Sequence, residues 1–272
     1  MSLLHFPVLN KKVKELIDAI KDDLLVIDCT YGAGGHSKIF IDSAHKVIAL
    51  DRDINTKSEI VPLIHDKFSN LHNHIEFEKA NNDQYNIFLN KSFLYSVNKI
   101  MIFADLGMST MQLKNNRGFS FMTDSPLDMR MGIDTHTLCE KLEYMQENEI
   151  EQIIREYGEE KRSKKIASNI NNYRASKKIE TTLDLRKAIG FDEFNILARV
   201  FQAFRIYINN ELNELHKLLQ IKANYFLIIS FHSLEDRIVK RAFKNQQLYL
   251  PTEEEIEINS ASRSAKMRFW KI

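Results

Sequence analysis

The stretch Val26-Ile27-Asp28-Cys29-Thr30-Tyr31-Gly32-Ala33-Gly34-Gly35-His36-Ser37, residues 26–37, decides the fold of this chain. The apolar residues 24–27 predict a buried strand, and the glycines that follow predict a tight loop before a helix over 37–41. In an open parallel sheet, ligands bind at the carboxyl ends of strands, where such loops lie. A dinucleotide fingerprint needs a glycine where this chain has Ser37. The loop therefore favours an adenosyl ligand without a pyrophosphate, with a plain tight turn as the alternative.

Within this loop, we expect Asp28 to face the amino acid end of the ligand. Gly32, Gly34 and Gly35 would leave room for the ligand, because a glycine has no Cβ atom.

Length and composition set the class of protein. The 272 residues suffice for one large domain or for a domain with an insertion, and 44% hydrophobic with 28% charged residues is typical of soluble globular proteins. The net charge of +1 neither requires nor excludes nucleic acid as a partner. Two cysteines are too few for a disulfide framework, and no residue spacing resembles a metal site. Without a long apolar run or a signal-peptide pattern, we expect a cytoplasmic protein that does not contact membranes.

Further strands are predicted at residues 46–50, 74–77 and 100–104, alternating with helical segments that begin with one over 11–20. This alternation predicts an α/β fold with a parallel sheet and right-handed crossovers. Three of the strands end in aspartate, namely Asp28, Asp51 and Asp105.

A helical block follows the fourth strand. It includes a helix capped by Thr182 and ending at Gly190, and a long amphipathic helix runs from 192 to 219. A strand is predicted at 225–231 and an edge strand at 265–270. We therefore expect residues 1–117 and 205–272 to form the two parts of the α/β domain, with residues 118–204 as a helical insertion.

Two of the strand-end aspartates have specific chemical uses. Asp51 can accept both hydroxyl hydrogens of an adenosine ribose, although a helix N-cap is the alternative. Asp105 would meet an acceptor substrate, and a carboxylate that accepts an N–H bond from an exocyclic amine would localise the nitrogen lone pair for attack on a methyl donor. Its alternative is a turn cap at the end of the strand.

His232 and three basic clusters add to the candidate site. His232 lies near two acids in the sequence, which suggests catalysis; orienting its neighbours or closing the loop by a hydrogen bond is the alternative. Clustered cations predict contact with RNA phosphates, whereas solvated helix faces are the alternative. The cations are Lys161, Arg162, Lys164, Lys165, Arg174, Lys177 and Lys178; Arg237, Lys240, Arg241 and Lys244; and Arg263, Lys266, Arg268 and Lys271.

Several blocks, in order along the chain, carry a family resemblance. They are Gly34-Gly35-His36-Ser37, Asp51-Arg52-Asp53, Arg117-Gly118-Phe119-Ser120-Phe121-Met122, Pro126-Leu127-Asp128-Met129-Arg130-Met131, Tyr157-Gly158-Glu159-Glu160, Phe201-Gln202-Ala203-Phe204-Arg205-Ile206 and Ile229-Ser230-Phe231-His232-Ser233-Leu234-Glu235-Asp236-Arg237-Ile238-Val239-Lys240-Arg241. In these blocks the chain resembles the RsmH (MraW) family of 16S ribosomal RNA cytidine N4-methyltransferases. The blocks that contain Pro126 and Ser230 are far more specific than a glycine loop.

The resemblance implies a class I, Rossmann-like methyltransferase sheet with an inserted helical domain that recognises the substrate. It implies S-adenosyl-L-methionine as the methyl donor and small-subunit ribosomal RNA, naked or in an assembled 30S particle, as the partner. The target cytidine would have to be unstacked to reach the donor. The donor contacts that it implies are Gly34, Gly35, His36, Asp51, Asp105 and Gln112. For His36, capping of the following helix is the alternative.

The chain departs from the family pattern in three places. Asn82 stands where the family has an aromatic residue that contacts the donor, and the usual proline before Phe201 is missing. Residues 244–264 read as a shortened loop. Two other functions stay open: a class I methyltransferase with a protein or small-molecule acceptor, and an RNA-binding or assembly protein of this fold without turnover. Donor binding, followed by methyl transfer to ribosomal particles, separates the three.

Overall fold

A computed structural model describes residues 7–43, 45–53, 99–108, 116–132 and 136–272, together with the backbone of 75–79. The chain divides into two compact units, Met1–Ser109 with Leu212–Ile272 and Thr110–Glu211. The predicted helical insertion, 118–204, lies inside the second unit, which extends further at both ends.

The first unit contains a seven-stranded sheet of order β3-β2-β1-β4-β5-β7-β6. Its strands are β1 Leu24–Asp28, β2 Lys46–Asp51, β3 Ile75–Lys79, β4 Lys99–Asp105, β5 Tyr225–Ser230, β6 Gln247–Tyr249 and β7 Lys266–Lys271. The first five strands run parallel, and β7 runs antiparallel to both of its neighbours. The α/β sheet predicted from the alternation of apolar strands and helical segments is confirmed.

Within the described ranges the α-helices are α1 Asn10–Ala19, α2 Gly35–Asp42, α3 Leu138–Tyr144, α4 Glu147–Gly158, α5 Ser163–Ser176, α6 Thr182–Ile189, α7 Phe194–Asn209, α8 Glu211–Leu218, α9 Ser233–Ala242 and α10 Glu253–Ile258. Five of them, α3 to α7, belong to the second unit. None of the helices within the described ranges is long and apolar enough to cross a membrane.

Apolar side chains cover both faces of the sheet, as expected of a largely parallel sheet. On one face, Phe226 of β5 stacks on Trp270 of β7 with ring centroids 5.0 Å apart. On the other face, Phe103 of β4 meets Phe40 of α2 edge-on at 5.0 Å, beside Ile17 of α1. Every residue of β1 and of β5 is buried, so these strands read as continuous apolar runs in the sequence.

Two helix predictions are wrong in detail. The long helix predicted over 192–219 is interrupted at Asn210, which adopts the left-handed conformation with φ 52°. Asparagine tolerates this conformation better than most residues, which is why an apolar period can continue past the break. The cap of α6 is Thr181, whose hydroxyl accepts the Asp184 N–H at 3.2 Å, whereas the hydroxyl of Thr182 donates to the Thr123 carbonyl at 2.8 Å.

The C-terminal segment also differs from its prediction. The strand predicted at the sheet edge, β7, lies between β5 and β6. Residues 244–264 contain β6, α10 and a 3₁₀ helix, Ser260–Ser264, so they are more than a shortened loop. The three residues of β6 are too few and too exposed to show an alternating pattern.

Candidate active site

Three aspartates end neighbouring parallel strands and therefore lie along one edge of the sheet. Asp28 of β1 pairs in register with Ala49 of β2 and with Phe103 of β4. Asp51 and Asp105 each extend two residues beyond that register. The sheet thus places three carboxylates around the glycine-rich loop that follows β1.

Backbone and hydroxyl hydrogen bonds tie this loop to all three strand ends. The Thr30 N–H donates to Asp28 Oδ1 at 3.1 Å, and the Thr30 hydroxyl accepts the Asp105 N–H at 2.7 Å. The Gly32 N–H donates to Asp51 Oδ2 at 2.8 Å, and the Asp53 N–H donates to Asp51 Oδ1 at 2.8 Å. Asp51 is therefore held by the loop. No distinct sequence signal identified Thr30 as the residue that joins β1 to β4.

Two different structural constraints explain why glycine stands at three positions of the loop. Gly32 and Gly34 adopt positive φ angles of 53° and 75°, which side chains with a Cβ atom rarely adopt. A Cβ atom on Gly35 would lie 3.1 Å from Pro7. Gly34 is the N-cap of α2, so the alternative in which His36 caps this helix is wrong.

Asp28 is buried and accepts the Ser37 hydroxyl at 2.6 Å. Burial raises the pKa of Asp28 to about 7, and the bonds from Ser37 and Thr30 oppose that rise. The charge of the nearby Asp51 contributes to this rise. The carboxyl group therefore changes charge close to neutral pH.

Asp105 is the carboxylate with unused acceptor capacity. Burial raises its pKa well above the ordinary value, and the charges of Asp28 and Glu235 add to the rise. Its Oδ1 atom is buried and accepts no hydrogen bond from the described part of the chain. A buried polar atom of this kind is unusual in native proteins and points to a bound group that donates to it.

His36 lies in the first turn of α2 and is buried. Its Nε2 atom lies 2.9 Å from the Val8 carbonyl oxygen, and its Nδ1 atom lies 3.6 Å from Asp105 Oδ2. The ring also packs on Phe103, with centroids 4.7 Å apart. The structure thus joins His36 to Asp105, an association that their sequence separation gave no reason to expect.

His232 is the N-cap of α9. Its Nδ1 atom accepts the Glu235 N–H at 3.4 Å, and the Glu235 carboxylate accepts the backbone N–H groups of Phe231 and His232, at 2.8 and 3.3 Å. These contacts form a capping box, so the hydrogen bond that closes the loop is present. The Nε2 atom lies 3.1 Å from Glu235 Oε1 without the alignment of a hydrogen bond. A catalytic function for His232 stays a prediction.

Sequence reasoning missed Glu235, which is buried and raises the pKa of Asp105. The three-residue spacing from His232 to Glu235 is the signal that could have found it.

The predicted donor contacts Asn82 and Gln112 lie outside the described residues.

Many of the clustered cations are paired with acids. The ion pairs are Lys177–Asp184, Lys178–Glu143, Arg162–Glu193, Lys266–Asp236 and Arg268–Asp236. By contrast, Lys161, Lys164 and Lys165 form no ion pair with any residue in the described ranges. These three lysines line an open cleft of about 550 Å³ in the second unit, together with Glu147, Arg162, Ser168 and Phe191.

Comparison with known proteins gives a consistent result. The model of the MraW methylase family matches residues 2–249. The chain is 37% identical over 295 residues to ribosomal RNA small subunit methyltransferase H of Thermotoga neapolitana, covering 97% of this chain and 94% of that protein. It is 37% identical over 302 residues to the protein of the same name from Ehrlichia canis, covering 97% and 98%. The similarity includes both units.

We expect the free energy of unfolding of Asp28→Asn, measured relative to that of the wild type, to increase as the pH rises from about 4 to about 7. In this range the folded wild type holds a proton on Asp28, whose pKa is about 7 when folded. The unfolded chain, with an ordinary aspartate pKa of about 3.9, does not hold it. Wild-type stability therefore falls as the pH rises through this range, and the Asn variant, which does not titrate, avoids that loss.

The expected relative gain is on the order of 2–4 kcal/mol in the free energy of unfolding. Urea unfolding of both proteins at about pH 5 and about pH 8 measures it. Asp23→Asn, at an exposed position just before β1, is the control and should show no such change. An equal difference between wild type and Asp28→Asn at both pH values would contradict the titration of Asp28.

Proposed function

Because the chain belongs to the MraW methylase family, we propose that it transfers a methyl group from S-adenosyl-L-methionine to N4 of a cytidine in 16S ribosomal RNA. The observation that carries this proposal is the near full-length similarity to proteins named ribosomal RNA small subunit methyltransferase H. The carboxylate edge of the sheet is chemically suited to the reaction. We place the reaction in the cytoplasm, with the small ribosomal subunit or its RNA as the partner.

The residues at the sheet edge fit such a donor. Asp51 accepts one backbone N–H on each carboxylate oxygen, which fixes its orientation, and a carboxylate has about four acceptor directions in all. It can therefore accept ribose hydroxyls as well. Gly32 and Gly34, which adopt positive φ angles, leave the loop backbone without a side chain at these two positions. We assign donor contacts to this loop, from Gly32 to His36, to Asp28 beside the amino acid end, and to Asp51.

Asp105 is suited to orient the acceptor amine. When bound, the donor supplies an electrophilic methyl group on its sulfonium. The lone pair of a cytosine N4 amine is delocalised into the base ring, which makes the nitrogen a poor nucleophile. Asp105 Oδ1, buried and without a hydrogen bond from the described residues, can accept one of its N–H bonds. That bond favours a pyramidal nitrogen with a localised lone pair, so that Asp105 contributes orientation and charge rather than strong base catalysis.

The basic cleft of the second unit is suited to contact the RNA backbone. Lys161, Lys164 and Lys165 have no carboxylate partner in the described residues, so their charge is available to phosphates. Lys177 and Lys178, which the sequence grouped with them, are bound to Asp184 and Glu143. We therefore assign phosphate contacts to the first three lysines in preference to the paired ones.

Asp105→Asn tests whether the chain is an enzyme that uses Asp105. The amide keeps one acceptor oxygen but also presents N–H donors, which oppose the target amine. Turnover should fall on the order of 10²-fold, while donor affinity should weaken only modestly. Methyl transfer to small ribosomal subunits from cells that lack the chain, followed by mass mapping of nucleosides, measures the first quantity. Calorimetry measures the second.

Full activity of Asp105→Asn would exclude the orienting function, and a loss confined to donor binding would make Asp105 a donor ligand only. Donor binding by the wild type without methylation of ribosomal particles would favour another acceptor. If the wild type binds RNA without donor binding or turnover, a non-catalytic assembly protein would be supported.

Asp51→Ala should weaken donor binding by about 1.5–3 kcal/mol, because it removes charge-assisted hydrogen bonds to the ribose. Asp51→Asn keeps an acceptor for one loop N–H and should lose less. Calorimetric titration with S-adenosyl-L-methionine measures both, with Asp23→Ala as an exposed control. Unchanged affinity in Asp51→Ala would exclude the ribose contact.

Combined substitution of Lys161, Lys164 and Lys165 by Gln should weaken RNA binding and flatten its salt dependence. The slope of log K against log salt should fall by roughly 2, since each phosphate contact contributes about 0.7–0.9. The matched control replaces Lys177, Lys178 and Arg186 by Gln. It removes the same charge from the same unit, but these cations are paired with acids. Equal flattening in both variants would contradict the assignment to the cleft.

A further inference from the structure

The two ring nitrogens of His36 both face oxygen atoms of the protein. Nε2 lies 2.9 Å from the Val8 carbonyl oxygen, and Nδ1 lies 3.6 Å from Asp105 Oδ2. A carbonyl oxygen can only accept, so Nε2 carries a hydrogen. A neutral imidazole has no second hydrogen, so its Nδ1 would then carry a lone pair 3.6 Å from Asp105 Oδ2, within ion-pair distance but too far for a hydrogen bond. Either the ring is protonated and Asp105 is ionised, or the ring is neutral and Asp105 holds the proton.

The groups around Asp105 determine whether its carboxyl group is ionised, and the proposed function of Asp105 requires the ionised form. Asp28 faces it from β1 and Glu235 faces it from α9, and both negative charges oppose its ionisation. His36 from α2 is the basic side chain within ion-pair distance of Asp105 among the described residues. A protonated Asp105 would present an O–H donor and could not serve as the anionic acceptor that the amine requires.

The contacts of His36 favour the proton on its ring. Burial favours the arrangement in which both groups are neutral, so the ion pair forms only where the contacts of the imidazolium outweigh that cost. The Val8 carbonyl stabilises the hydrogen on Nε2, and the Phe103 ring, with its centroid 4.7 Å from that of His36, is attracted to a cationic imidazolium. Ionised Asp105 lies at ion-pair distance from Nδ1, 3.6 Å, and attracts the charge of the imidazolium.

We propose that His36 is a positioning residue that carries a proton on Nδ1 and thereby keeps Asp105 ionised, with Oδ1 available to the acceptor amine. The proposal rests on the function proposed for Asp105. It also assigns to the histidine of the Gly34-Gly35-His36-Ser37 block a use distinct from contact with the methyl donor. The pair shares one proton, and losing the histidine moves that proton to the carboxylate.

The pH dependence of methyl transfer tests this arrangement in His36→Asn. Asparagine places an amide near the position of Nδ1 but cannot carry a positive charge. Asp105 should then ionise only at higher pH. In a plot of the single-turnover rate against pH, measured at saturating donor, the acidic limb should therefore move to higher pH by at least about one unit. Once the limb lies above neutral pH, each further pH unit that it moves should lower the rate near neutral pH by about tenfold, and the rate should recover at alkaline pH.

His45→Asn is the matched control. His45 is also a buried histidine of the first unit, but it precedes β2 at the opposite edge of the sheet. Its replacement should leave the acidic limb in place. If His36→Asn lowers the rate by the same factor at every pH, the histidine is merely structural and the proposal fails.

A second measurement does not depend on methyl transfer. In wild-type protein with nitrogen-15 in its histidines, magnetic resonance should show hydrogens on both ring nitrogens of His36 at neutral pH. In Asp105→Asn the Nδ1 hydrogen should be lost at the same pH. An unprotonated Nδ1 in the wild type would overturn the proposal even if the enzyme is fully active. Protonation as expected in a protein that methylates nothing would support the pair and contradict the proposed function.

Discussion

Burying several carboxylates at one edge of a parallel sheet is the constraint on which the rest of the site depends. Each carboxylate is stabilised differently. Asp28 accepts a hydroxyl and a backbone N–H, and Asp51 accepts two backbone N–H groups. Asp105 has only the side chain of His36 within ion-pair distance in the described structure. The loop after β1 must therefore direct its N–H groups inward, and the positive φ angles of Gly32 and Gly34 make that path possible.

The second unit uses polar contacts for a different purpose, which is to fix an irregular segment. Asn209 at the end of α7 accepts the Met131 N–H at 2.8 Å and donates to the Met129 carbonyl at 2.8 Å. Met129 itself has a φ angle of 60°, and Arg130 binds the carboxylate of Asp128 through two nitrogens. The long block from Pro126 to Met131 thus has a structural explanation: its polar residues hold a strained turn that the end of α7 completes.

The parts of the fold that could be predicted are those where burial imposes a period on the sequence. β1, β2, β4 and β5 are apolar runs because the sheet is covered on both faces, and their prediction is accurate to about one residue at each end. The break at Asn210 could not be predicted in this way, because the apolar spacing continues through it and one left-handed residue decides the outcome. β6 has too few residues to show a period at all.

The candidate site likewise has a part that the sequence predicts and a part that it does not. The three strand-end aspartates could be predicted because a parallel sheet brings the ends of its strands together. The pairing of His36 with Asp105 depends on how α2 packs on that edge, and no spacing in the sequence encodes such packing. Glu235 is different, because its spacing from His232 is that of a capping box.

The acidic character of this edge also has a chemical consequence. Burial raises the pKa values of Asp28 and Asp105, and neighbouring carboxylates add to the rise, Asp51 for Asp28 and both Asp28 and Glu235 for Asp105. The proposed reaction begins with a positive charge on sulfur and develops one on the amine nitrogen. A set of fixed acids stabilises a cation at both positions without reorganising, which is the condition for electrostatic catalysis. The residues that make the free site unfavourable are therefore the ones that make it complementary to the transition state. The proposed protonated His36 fits this scheme because it would stabilise ionised Asp105 through Oδ2, leaving Oδ1 to meet the charge that develops on nitrogen.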